Sequence, residues 1–246
     1  MRFKSLASTL TLLISSVLSQ TAIADETAAK PWKHQLEMGL NGASGNSDTM
    51  NIHLGFSTEY TDLEKAWNFS TAYDRAKSDG DVSANRFFAD LKREWIWPGI
   101  PWFSYMQGRY DWNQFKDWDD RISASSGIGY QHIKNESWDI ASRAGLGGFI
   151  SRGDGEDIST PELLLGLDLG WIISEHERFE FSNAFYPDLD ETGEYRNLTT
   201  INWAMKMSEA RNLAIKLGLK NEYDSSASDE QEKNDFTYHL SLIWQI

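Results

Sequence analysis

The side chains best suited to chemistry in this chain are five histidines, His34, His53, His132, His176 and His239. Imidazole acts as a metal ligand or as a general base. No two of them stand at helical ligand spacing, and there is no His-Glu-x-x-His. Cysteine is absent, so linear spacing predicts no metal site and no cofactor. His239 and Ser241 are two residues apart, which would suit a base beside a serine nucleophile. On a strand that spacing leaves side chains about 6–7 Å apart on one face, and any polar strand face produces such pairs. We therefore expect no catalytic residue.

Acidic loops raise cation binding. Asp188-Leu189-Asp190-Glu191-Thr192-Gly193-Glu194 opens like a calcium loop, but its twelfth position is Thr199 where a bidentate Glu is needed. Arg152-Gly153-Asp154-Gly155-Glu156-Asp157 is similarly incomplete. Turns use Asp and Gly for backbone reasons in any case.

The elements that must position these residues are strands. From Lys33 onward the apolar period is two. In Thr49–Tyr60, Met50, Ile52, Leu54, Phe56 and Tyr60 share one face with Thr58, while Asn51, His53, Gly55, Ser57 and Glu59 share the other. The pattern recurs in twelve segments, roughly 34–43, 49–60, 66–75, 84–96, 102–113, 121–133, 138–150, 162–173, 179–187, 195–206, 213–223 and 235–246. Each has the length a tilted strand needs to cross a bilayer. Connections alternate between short turns and mostly longer, acidic loops. The expected fold is all-β, a transmembrane antiparallel up-and-down barrel of about 12 strands, with both termini on the short-turn side.

Aromatic positions orient the barrel. Trp67, Trp102 and Trp138 begin strands after short turns; Trp95, Trp171 and Trp203 end strands before them, and Trp244 ends the last strand. With Tyr130, they are expected to form a membrane-interface girdle on the apolar face. Tyr73, Phe87, Tyr110, Trp112, Phe185, Tyr195, Tyr223 and Phe236 fit a second ring. On the opposite face lie candidate lumen charges of both signs: Arg86, Asp90, Lys92, Glu94, Glu162, Asp168, Lys216, Lys220 and Glu222. Arg93 shares the apolar face with Trp95 and is expected to snorkel to the interface.

Residues 1–24 read as an export signal: Arg2 and Lys4 precede a moderately apolar stretch, and Ala22-Ile23-Ala24 places small residues for cleavage. Residues 25–246 form the barrel. The chain has 23 Lys+Arg against 37 Asp+Glu, net −14; removing Arg2 and Lys4 takes the 23 to 21 and the net charge to −16. That excludes nucleic acid as a partner class.

The stretch Gly39-Leu40-Asn41-Gly42-Ala43-Ser44-Gly45-Asn46-Ser47-Asp48-Thr49, followed by an alternating strand, resembles the salt-induced outer-membrane protein family (YdiY-like), whose activity is undefined. The resemblance implies an outer-membrane barrel and supplies no catalytic residue. The expected partners are outer-membrane lipids, lipopolysaccharide and, during assembly, the barrel-insertion machinery. Three functions fit: a narrow passive channel for small solutes or ions linked to salt or envelope stress, a structural barrel with a closed lumen, and an outer-membrane lipid hydrolase. For a channel, the acidic loops predict weak cation preference.

Overall fold

The computed structural model describes residues 32–43, 49–116, 118–153, 157–227 and 232–246. The expected export signal, 1–24, and residues 44–48 lie outside them. Among the described residues there are twelve strands and no helix. They are β1 (Trp32–Ala43), β2 (Thr49–Thr61), β3 (Lys65–Ser78), β4 (Asp81–Ile96), β5 (Trp102–Asn113), β6 (Asp120–Lys134), β7 (Trp138–Arg152), β8 (Ile158–Ile172), β9 (Glu177–Pro187), β10 (Tyr195–Ser208), β11 (Leu213–Asp224) and β12 (Asn234–Gln245). Every strand pairs antiparallel with its sequence neighbours, and β12 pairs with β1 to close the barrel.

Register follows from the alternation. A slip by one residue would turn every apolar side chain inward. In β8, Glu162 and Leu164 face the lumen at 3% and 1% exposure, while Leu165, next in the chain, is 44% exposed on the outside. β12 sets Tyr238, Leu240 and Leu242 outward and buries Ser241 and Ile243. The outward face is thus an apolar belt, the inverse of a water-soluble barrel. Its polar exceptions on β9 and β10 bond among themselves: Asn183 donates to Asn197 at 3.0 Å and to Thr199 at 2.8 Å.

Two connections are tighter than the sequence suggested. The loop expected over 76–83 is a two-residue turn, Asp79-Gly80, with φ of 52° and 91°. Positive φ at both positions is what a type I′ hairpin requires, and Asp-Gly suits it. A bulge between Ala76 and Lys77 absorbs the resulting shift in register. β8 begins at Ile158, not 162, and contains Pro161. Its ladder with β9 starts only at Leu165, so the missing proline N–H costs no ladder bond.

The short turns are capped by side chains. Asp62 accepts the backbone N–H groups of Glu64 and Lys65 at 2.8 and 2.9 Å and the Tyr60 hydroxyl at 2.7 Å. Asn135 accepts from the Ser137 and Trp138 backbone N–H groups in the same way.

Candidate functional site

Among the described residues, charged groups from many strands converge on the lumen face, and the strand register puts the nine expected charges on that face. Their partners are same-face neighbours, either two residues along the same strand or across the lumen face on another. Arg86 meets Asp74 at 3.1 Å, Lys92 meets Glu94 at 2.9 Å, Lys220 meets Glu222 at 3.2 Å, and Lys216 meets Glu37 at 2.7 Å. Asp90 accepts from Gln107 at 2.8 Å. Asp168 holds Arg143 at 2.8 Å and accepts from Ser182. Glu162 takes both forks of Arg196 at 2.8 Å each, a bidentate pairing that fixes direction as well as charge.

Several of these partners went unremarked in the sequence. Arg109, Asp111, Arg143 and Arg196 fall on the lumen parity of their strands, so the same alternation would have found them. Their aromatic company was less visible. Phe149 is 7% exposed and lies between Arg121 and Arg196, whose guanidinium carbons are 4.2 and 4.7 Å from its ring centre. Arg109 stacks on Phe88 at 4.3 Å. Such stacking suits the planar, weakly hydrated guanidinium.

The connection from β5 to β6 folds inward over the long-loop end. Lys116 reaches Asp235 on β12 at 2.6 Å, and Trp118 is buried 4.7 Å from the Arg121 guanidinium. Arg121 reaches Asp224 on β11 at 3.5 Å, crossing the barrel. These contacts divide the lumen. Toward the short turns lies a chamber of about 690 Å³ lined in part by Glu59, Lys92, Glu94, Asp168 and Glu180. Toward the loops the free space falls to about 80 and 30 Å³, room for a few waters each. Six cationic side chains (Arg86, Arg109, Lys116, Arg121, Arg196, Lys220) and four anionic ones (Asp74, Asp111, Glu222, Asp235) line the 80 Å³ space.

A second cluster sits at mid-barrel beside the closing seam. Glu37, His53 and His239 place one ligand atom each within 4.8 Å of the others. The two imidazoles stack with centres 4.3 Å apart. Linear spacing hid this group, because its members are brought together by the closure of the first hairpin onto β12. Ser241 donates its hydroxyl to Glu37, not to His239. The His-x-Ser pair therefore lacks the nucleophile–base contact that serine catalysis requires.

The remaining sequence candidates are placed as follows. Trp67, Trp95, Trp102, Tyr130, Trp138, Trp171, Trp203 and Trp244 all lie toward the short-turn ends of their strands, on the outward parity. Trp138 and Trp171 stack at 5.0 Å, and Trp102 meets Tyr130 edge-on at 4.9 Å. Arg93 lies between Trp67 and Trp95, 4.5 and 4.6 Å from their ring centres. Asp188 accepts the backbone N–H groups of Asp190 and Glu191. That is a turn cap, and Thr199 is a strand residue.

A closed twelve-strand barrel with an apolar exterior and a charged interior is an outer-membrane type of barrel. Solved structures agree on the fold. The NanC porin superposes with a TM-score of 0.51 at 6% identity, covering 87% of this chain and 100% of that one. The COG4313 outer membrane channel from Pseudomonas putida F1 gives a TM-score of 0.51 at 9% identity, covering 92% and 100%. No curated protein sequence matches the chain. Residues 36–246 match the family described as "Protein of unknown function, DUF481", and the chain belongs to that family.

Proposed function

We propose that this protein is a narrow passive channel of the outer membrane, delivered by a cleaved signal over residues 1–24. The observation that carries this reading is the uneven lumen: a space of about 690 Å³ on the short-turn side, and on the loop side a smaller one of about 80 Å³ lined by ten charged side chains. The porin and the channel with the same fold are compatible with it. The tryptophan set and the outer tyrosines serve as interface girdles, and the lipids and lipopolysaccharide around them as partners.

The charge that lines the restricted part of a pore sets its selectivity. The acidic loops had pointed to cations. The smaller, loop-side space carries the opposite balance, six cationic groups against four anionic, and the reading is preference for small anions. Swelling of liposomes containing the refolded barrel tests this. A small carboxylate should enter faster than a size-matched ammonium ion, and Arg121→Ala should narrow the difference. Equal entry of both, unaffected by the substitution, would defeat it.

A structural barrel is the second reading, favoured by the close packing of Tyr105 and Leu164, at 2% and 1% exposure, within the lumen. It predicts no solute entry at all. The salt-induced assignment rests on the Gly39–Thr49 stretch and the strand that follows it; transcript levels after a salt upshift test it.

A further inference from the structure

We propose that Glu37, His53 and His239 form a binding site for a divalent transition metal of the zinc class, which clamps β12 to the β1–β2 hairpin. The inference does not depend on the channel reading.

Two of the three donor distances are those of coordination, and the histidine rings, stacked 15° from parallel, would turn to aim both Nε2 atoms at one ion. His53 Nε2 lies 3.4 Å and His239 Nε2 lies 3.2 Å from Glu37 Oε1. A tetrahedron with metal–ligand bonds of about 2.0 Å has edges of about 3.3 Å. His239 Nε2 is a buried atom whose contact with Glu37 falls short of hydrogen-bond geometry. Two imidazoles and a carboxylate are a donor set that zinc and its neighbours favour.

The surroundings support these ligands. His53 donates from Nδ1 to Asp74 Oδ1 at 2.6 Å, and Arg86 donates to the other Asp74 oxygen at 3.1 Å. A carboxylate only accepts, so in the neutral imidazole Nδ1 carries the hydrogen and Nε2 offers its lone pair toward Glu37. A carboxylate behind a ligating histidine is the usual outer support of such sites. Lys216 holds the second oxygen of Glu37 at 2.7 Å, so one-oxygen ligation would fall to Oε1, which also accepts the Ser241 hydroxyl.

Glycines make the room. A Cβ at Gly218 would collide with the His239 ring. One at Gly55 would stand 3.2 Å from Glu37 Cβ and 3.5 Å from His53 Nε2, and one at Gly39 would press on the Leu240 carbonyl at 2.9 Å and on His53 Cβ at 3.3 Å. Three strands thus yield side-chain volume to the same spot.

The location gives the metal a task. β1 and β12 share four paired residues, the last being Met38 with Leu242, whereas β1 and β2 share twelve. Glu37 lies within that short ladder, and His53 and His239 lie on the two strands flanking the place where it stops. A metal there would tie the weakest seam of the barrel.

The test uses the tag-free full chain, refolded in detergent micelles and freed of metal by chelator. Cobalt(II), followed by visible absorption, and zinc, followed by competition, are the probes. One cobalt should bind per barrel with the intense bands of low-coordinate geometry, and the thermal midpoint should rise with metal concentration. Binding should vanish in His53→Ala and His239→Ala, weaken about 10–100-fold in Asp74→Asn, and be unchanged in His176→Ala. Gel mobility before and after boiling confirms that each barrel has folded; if His239→Ala does not fold, His239→Gln takes its place. Absence of cobalt binding to the wild type overturns the proposal, as does binding undiminished in the folded His53 and His239 variants.

Discussion

At the scale of single residues, the structure commits side chains to measurable tasks. The carboxylate of Asp62 accepts two backbone N–H groups and a tyrosine hydroxyl in an exposed turn. These bonds, led by the one from Glu64 N–H, hold its pKa down to about 2, from the ordinary 3.8. A depressed carboxyl stabilises the fold above its unfolded pKa, and that contribution fades as pH falls through the folded value. The turn should therefore keep its geometry at pH 4 and loosen near pH 2, and a titration of the Asp62 carboxyl carbon by NMR should show the low midpoint. An ordinary midpoint would mean the cap is not formed. Ser241 gives a second prediction. Its hydroxyl is engaged with Glu37, so Ser241→Ala and His239→Ala barrels should show the same lipid and ester turnover as the wild type, measured by fatty-acid release. Neither residue's partner was legible in the sequence: Glu37 is 204 residues from Ser241, and only the closure of the barrel brings them together.

At the scale of strands, alternation made the fold readable. The twelve segments and both faces of β8 and β12 follow from a period of two, because each strand has one apolar side and a slip would reverse it. The loop over 76–83 was misjudged because Ala76-Lys77-Ser78 lacks strong strand formers, although the Asp79-Gly80 turn signal was present. β8 was begun late because Pro161 reads as a stop unless its edge position is known. The outward parity carries its own test. Leu165→Arg, on the exposed face of β8, should destabilise a bilayer-inserted barrel by about 2–4 kcal/mol, as read by urea unfolding in lipid vesicles. A negligible change there would argue that this face does not meet lipid. Glu162→Gln acts on the other face. It strips Arg196 of its bidentate partner inside the lumen, at an expected cost of about 3 kcal/mol in the same unfolding assay.

At the scale of the whole molecule, charge is sorted by depth. The protein is strongly acidic, yet cationic groups outnumber anionic ones around the smaller, loop-side space. Parity alone could find the groups; it could not place them at one level, since depth depends on the stagger of all twelve strands. Nor could it show the β5–β6 connection turning inward to set Lys116 and Trp118 over the lumen. A channel must conduct through that loop-side space. Single-channel current through the refolded barrel in a planar bilayer, held across a salt gradient, asks this directly. Small, discrete openings with a reversal potential of anionic sign are the predicted result. A correctly inserted barrel that passes no current would contradict the channel and leave a structural wall in its place.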